Sequence, residues 1–408
     1  LTGRKNNMRI IINECKKILD IRIILLLCMF SILYYMTFTQ IYLYPTGGQV
    51  TNTKYDIPFT AELVKEWGPK WKVKDEKQYQ EKHQELERGF AKIIKQDQEL
   101  SKRGIVDYEI FNKKYEELGQ KTTLSKQEKE LDKILENYVF YNDKTSKIFL
   151  DIQALEHIRE FQGSEYGVSD KKYKELKADG FFDGTKLYQK AIEKRVKRDY
   201  ISLVHEGVFY ILQEDMVTIG GLIMICFFAL IIPYQLKQRL RQVIPILATT
   251  KTGRRIYQIQ LIASALVALF VGILQMAVYG IIWHLKGLSV FWRCESWGIA
   301  SNSYWCDKLS FGTYMLLYMA LILLFAIASI VIIDFIGRTI GNYMGAVAVS
   351  IPVCGVMMFL MRKIYYMLFL ITNDQVLAYW ELYALATWLI VMLLFYKIRS
   401  KRWKKVDL

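Results

Sequence analysis

The sequence predicts an all-α polytopic membrane protein, with six transmembrane helices and a mostly helical extracellular domain between the first and second. Two observations carry this. Six runs, 23–44, 217–236, 256–283, 311–336, 343–361 and 378–396, contain almost no charge, and about 20 apolar residues rising about 1.5 Å each cross a hydrocarbon core about 30 Å thick. Soluble folds break such runs with polar positions every few residues, and these are unbroken. By contrast, the block between the first two runs is dense in Lys and Glu. The chain therefore divides into 1–44 (interfacial helix and first crossing), 45–213 (extracellular helical domain with a stalk) and 214–408 (crossings two to six, a loop at 237–255 and a basic tail).

Charge placement sets the orientation. The formal net charge is +15, yet residues 44–213 hold 31 Lys/Arg against 30 Asp/Glu, so the excess lies beside the membrane. Nineteen of the remaining 24 basic residues fall in the N-terminal stretch, the 237–255 loop, the 337–342 turn and the C-terminal tail. Only Lys286, Arg293, Lys308, Arg362 and Lys363 fall in the alternate loops. The positive-inside rule then makes both termini cytoplasmic in a multi-pass plasma-membrane protein. Basic clusters at the ends of apolar helices meet anionic headgroups, so membrane lipid, not nucleic acid, is the expected partner of this charge.

Met8, Ile11, Ile12, Cys15, Ile18 and Leu19 recur at helical spacing. The flanking charges at Glu14, Lys16, Lys17 and Asp20 favour a helix lying in the membrane interface. Met8 is a candidate natural start. The first crossing that follows is too long for a cleaved signal and reads as a retained anchor. In the extracellular block, Leu86, Phe90, Ile93 and Ile94 form one apolar stripe, and Leu131, Ile134, Leu135, Tyr138 and Val139 another. The second is opened by Ser125 and Glu128 in capping-box spacing. The last helix of the block, from 186 through Leu203, meets no strong breaker before the second crossing and is expected to continue into it as a stalk.

Ionisable residues inside a crossing are functional candidates because burying them is costly. Asp334 and Glu381 are therefore pathway candidates; Arg338, four residues from Asp334, supplies a local ion pair. Cys294 and Cys306 share an extracellular loop, where a disulfide and two free thiols both remain open. His83, His157, His205 and His284 are isolated, so no metal site is expected. No Gly-rich phosphate loop of the G-x-x-x-x-G-K-[ST] kind occurs, and no set of catalytic residues clusters. The chain carries no ATP-binding motif of its own and is not expected to be an enzyme.

The loop KQRLRQVIPILATTKTGRRIYQIQ, 237–260, resembles that of ABC-2 type transporter permeases, where a short amphipathic helix, a Thr/Ser-rich turn, Gly and Arg precede the third crossing. Its residues Leu240, Ile244, Pro245, Leu247, Thr249, Thr250, Gly253 and Arg254 match that pattern. Leu240, Ile244 and Leu247 supply a small apolar face, Pro245 fixes the geometry and Gly253 closes it. The interfacial helix, the six crossings, the short turn between the fourth and fifth and the apolar hairpin at 362–376 extend the resemblance to the whole membrane portion. Where many relatives carry an acidic residue early in the loop, this chain has Lys237, Arg239, Arg241 and Gln242.

The resemblance implies a permease subunit of a bacterial ABC exporter, with the loop as the coupling helix. Two copies of a separate ATP-binding subunit would hold ATP and Mg²⁺, so no cofactor belongs to this chain. A second permease, identical or paralogous, would complete the pathway. Crossings rich in Met, Phe and Tyr suit an amphiphilic substrate, a peptide or a lipid; the resemblance, to permeases of Gram-positive bacteria in particular, implies an antimicrobial or other peptide before a lipid. The alternative is a membrane sensor whose extracellular domain binds a peptide without transport.

Overall fold

The computed structural model describes residues 2–43, 53–72, 75–165, 174–175, 177–180, 183–240, 256–296, 298–299, 304–305, 309–372 and 374–404. Six described helices have the length and composition of membrane spans: α2 (Ile21–Phe38), α11 (Glu206–Leu240), α12 (Ile256–Leu285), α13 (Phe311–Thr339), α14 (Tyr343–Tyr365) and α15 (Trp380–Lys404). The helix α1 (Thr2–Ile18) precedes the first of them, and Asp20 starts α2 by accepting a hydrogen bond from the Arg22 amide at 3.1 Å. A side-chain oxygen at that position satisfies an amide that the first helical turn leaves without a partner.

α11 is the central element. Its span is mostly buried, because α2, α12, α13 and α14 all pack on it, α13 most extensively. Close approach depends on small residues. A Cβ on Gly220 of α11 would stand 2.7 Å from Met361 and 2.9 Å from Ile322, and one on Gly337 of α13 would stand 2.9 Å from the Gln235 Cβ. Helices in lipid gain little from hydrophobic exclusion, so such close backbone packing is a main source of their association.

Between α2 and α11 lie α3 (Gln40–Leu43), α4 (Thr53–Trp67), β1 (Lys70–Lys72), α5 (Glu76–Ile94), α6 (Gln98–Lys102), α7 (Tyr108–Gly119), α8 (Lys126–Glu136), α9 (Asp143–Glu165), α10 (Lys186–Val196) and β2 (Tyr200–His205). The expected stripes are present: Phe90 and Ile94 of α5 and Leu135 of α8 point into one core with Phe111 and Phe149. Phe90 and Phe111 meet edge to face at 5.1 Å. The Ser125 and Glu128 capping box forms in full, with bonds of 3.3 and 2.9 Å. A π-helical turn at Asn137–Tyr141 ends α8.

The expected continuous stalk is not formed. α10 ends at Val196, and Tyr200 to Val204, in which Tyr200, Ile201 and Val204 are aromatic or β-branched, extend as part of β2, the geometry such side chains favour. β2 pairs antiparallel with β1, Trp71 opposite Ile201, and parallel with β3 (Gly298–Ile299) from the loop after α12. The helix that holds the second apolar run accordingly begins at Glu206, well before that run. Phe59, Leu63, Trp71 and Ile201 belong to the same hydrophobic cluster as Phe227 and Phe325 of the membrane bundle. The base of the inserted domain and the bundle thus share one core. A second pairing, β4 (Tyr304–Trp305) with β5 (Leu370–Ile371), ties the loop before α13 to the hairpin after α14.

Candidate functional site

The described residues join four helices through a buried polar chain on either side of 241–255. On α1, Glu14 is 3% exposed. Its carboxylate accepts from Lys17 Nζ at 2.6 Å, from Gln238 Nε2 at 3.0 Å and from the Tyr234 hydroxyl. Gln238 on α11 accepts in turn from Gln260 Nε2 on α12, and Gln260 Oε1 accepts from Arg338 Nη2 on α13 at 2.8 Å. Arg338 Nε closes on Asp334 Oδ2 at 2.8 Å, while Gln235 Nε2 reaches Asp334 Oδ1 at 2.5 Å. Arg239 donates to the carbonyls of Arg338 and Thr339 at 2.9 and 2.6 Å.

Sequence spacing explains the gathering. Tyr234, Gln235 and Gln238 lie within about one helical turn at the end of α11, and Asp334 and Arg338 are one turn apart on α13. Gln260 is one turn into α12. Burial opposes ionisation of Glu14, but the hydrogen bonds from Lys17, Tyr234 and Gln238 outweigh it and hold the carboxyl below its ordinary range. The Arg338 guanidinium also lies 5.0 Å over the Tyr257 ring. Pro233 stands just before these residues in α11. It has no N–H for the carbonyl one turn back, so the last turns of α11 continue across a missing ladder bond.

Several predicted residues are placed by the structure. Asp334 closes the α13 end of this network, bonded to Arg338 and Gln235, and is paired as its spacing to Arg338 predicts. Leu240 ends α11 and is 63% exposed. Ile244, Pro245, Leu247, Thr249, Thr250, Gly253 and Arg254 lie outside the described residues. Glu381 is far along the chain from the network and fully buried; its Oε1 accepts from the Phe369 amide at 3.0 Å, while Oε2 has no partner among the described residues. It therefore holds the hairpin after α14, where Phe369 and Tyr379 both have positive φ. Cys294 is a free, buried thiol directed at the Leu203 carbonyl, 3.6 Å away. Its expected partner in a bridge, Cys306, lies outside the described residues.

Two polar groups near the other end of α11 escaped the sequence reading. Asp215 is fully buried; it accepts from the amides of Gln40 and Ile41 and from the Tyr279 hydroxyl at 3.0 Å, fixing α3 to α11 and α12. Glu214 takes both Arg362 amines at 3.2 Å and so ties α11 to α14. Both acids precede the apolar run at 217, which hid the fact that they belong to the helix. For Glu14 the sequence reading took only the interfacial placement of its helix; the structure adds that α1 turns Glu14 onto α11.

No protein-family model, no curated protein and no solved structure matches this chain.

Proposed function

We propose that this chain is the permease subunit of an ABC-2 type exporter, carrying an amphiphilic substrate, most simply a peptide, across a bacterial plasma membrane. The observation that carries the reading is the polar chain from α1 to α13, which brackets the loop resembling a coupling helix: Gln238 and Arg239 stand just before it and Gln260 just after. A push on the loop from an ATP-bound partner would be felt at once by four helices, because a buried network that loses one bond leaves donors and acceptors without water to replace them. The missing ladder bond at Pro233 lets the end of α11 move against the rest of that helix.

In this reading both termini and the loop are cytoplasmic and the inserted domain is extracellular. The pairing of β2 with β3 supports the parity of that arrangement, since segments before the second span and after the third must share a side. The chain supplies no catalytic group; ATP and Mg²⁺ act on the partner ATPase, and a second permease completes the pathway.

Reconstitution with the ATP-binding subunit found by co-purification tests this. Leu247→Asp and Gly253→Pro should leave the chain in the membrane and abolish transport-coupled ATP hydrolysis. Wild-type coupling in both would overturn the docking role, and co-purification of a histidine kinase without an ATPase would favour a peptide sensor. Single cysteines at Ser125 and Thr250 fix the topology: an impermeant reagent on intact cells should label only the first.

A further inference from the structure

A groove of about 400 Å³ runs between α2, α11 and α12, and it does not involve the polar network. Its lining extends from Leu19 and Ile24 to Met36 and Ile282 and contains no charged residue. Ile32, Met36 and Leu274 line it and are at least half exposed, so the groove opens on the apolar surroundings of the bundle. Two hydrogen bonds join polar groups of the lining: Gln275 Nε2 donates to Ser31 Oγ at 2.9 Å, and the Tyr35 hydroxyl donates to the Gln275 backbone carbonyl at 2.7 Å. With those atoms satisfied, water has little to hold it there, and an empty space of this size would forfeit packing along three helices.

Depth identifies the occupant. From Ile24 to Met36 the helix rises about 18 Å, close to the roughly 15 Å occupied by the acyl chains of one leaflet. The lower end lies at the start of α2, where the last charged residue, Arg22, gives way to the apolar run. Within a turn of that end, Lys16 and Arg22 are exposed and carry no ion pair among the described residues, while Lys17 is paired with the buried Glu14. The nearby acid is Asp20, whose side chain caps α2. The local charge at headgroup depth is therefore positive.

We propose that this groove holds one acyl chain of an anionic phospholipid, with its phosphate at headgroup depth beside Lys16 and Arg22. The site is independent of transport. It anchors α2 to the bundle, which otherwise holds α2 by few buried side chains, Ser31 and Tyr35 among them.

Native mass spectrometry of the detergent-purified full chain, titrated with dipalmitoyl phosphatidylglycerol and dipalmitoyl phosphatidylcholine, tests this. The wild type should retain one phosphatidylglycerol about fivefold more tightly than phosphatidylcholine, the discrimination that one basic side chain near a headgroup supplies. Leu274→Trp, and independently Met36→Trp, should weaken both lipids by about tenfold or more at unchanged thermal stability without lipid, by filling the groove. Phe270→Trp, exposed on the same helix and outside the groove, should change nothing. Lys16→Gln with Arg22→Gln should remove the preference and leave chain binding. Equal affinity of the two lipids, equal loss in Phe270→Trp, no loss in either groove variant, or a lipid-free pair of chains would each overturn the proposal.

Discussion

Glu14 and Gln238, 224 positions apart in the chain, share a buried hydrogen bond of 3.0 Å. Through it a helix that precedes the first span grips the last turn of the second. Glu14→Ala removes the acceptor and leaves the Tyr234 hydroxyl and the Gln238 amide buried without it, so thermal unfolding in detergent should report a loss of about 2–4 kcal/mol. In a double-mutant cycle with Gln238→Leu, the two losses should fall short of adding by about 1 kcal/mol or more. Strict additivity would show that the bond contributes nothing of its own.

The Asp334 and Arg338 pair is expected to behave asymmetrically. Arg338→Met strands a carboxylate among apolar helices and should destabilise by about 3–5 kcal/mol, whereas Asp334→Leu combined with Arg338→Met should restore part of that, since the pair's desolvation is also removed. Unfolding midpoints of the two single variants and the double variant check this. A double variant worse than both singles would contradict it.

Gly337→Ala places a methyl 2.9 Å from the Gln235 Cβ and 3.5 Å from the Ile232 Cα. α11 and α13 must separate by a few tenths of an ångström, which lengthens the Gln235 to Asp334 bond. Stability should fall by about 1–3 kcal/mol, the usual cost of overpacking. Gly341→Ala, which meets nothing within 4 Å, is the control and should be close to neutral.

Two carboxyls of the inserted domain and its base give opposite pH dependence. Burial pushes Asp151 up to about 6, against the pull of Lys147. A raised carboxyl favours the folded state only while protonated, so its contribution is lost as pH rises from the unfolded value near 4 through about 6. Asp151→Asn should therefore stabilise the domain by about 1–3 kcal/mol at pH 7–8 and have little effect below pH 4. For Glu295, burial opposes ionisation, but the hydrogen bonds from Lys70 and Tyr200 and the charges of Lys70 and Arg198 outweigh it and hold the carboxyl below its ordinary range. Its contribution is present above the unfolded value and lost as pH falls through the folded one, so Glu295→Gln should destabilise near neutral pH and converge on wild type in acid. Hydrogen exchange in α9 and β2 across pH 4–8 separates the two.

The spans were legible because a bilayer demands unbroken apolar length, and the capping box at Ser125 because its chemistry is local. The ion pair of Asp334 with Arg338 was legible for the same reason, being one turn apart on one helix. What could not be read was contact between distant segments. Glu14, Gln238 and Gln260 look like ordinary interfacial residues until α1, α11 and α12 are side by side. Tyr200 to Val204 could have served as the end of an apolar helix; partners at β1 and β3, one from each side in sequence, decided for a strand. Asp215 was missed because an apolar run marks where hydropathy begins, not where the helix does.

The small sheet at the base of the inserted domain also constrains the order of synthesis. β1 and β2 emerge before the second span, but β3 arrives only after α11 and α12 have been made. The edge of β2 that β3 later covers is therefore unpaired while two further spans enter the membrane, and an open edge recruits any strand that meets it. This small sheet is closed only from the third span backwards, which makes the interval between insertion of α11 and closure by β3 a stage at which the nascent chain is open to mispairing.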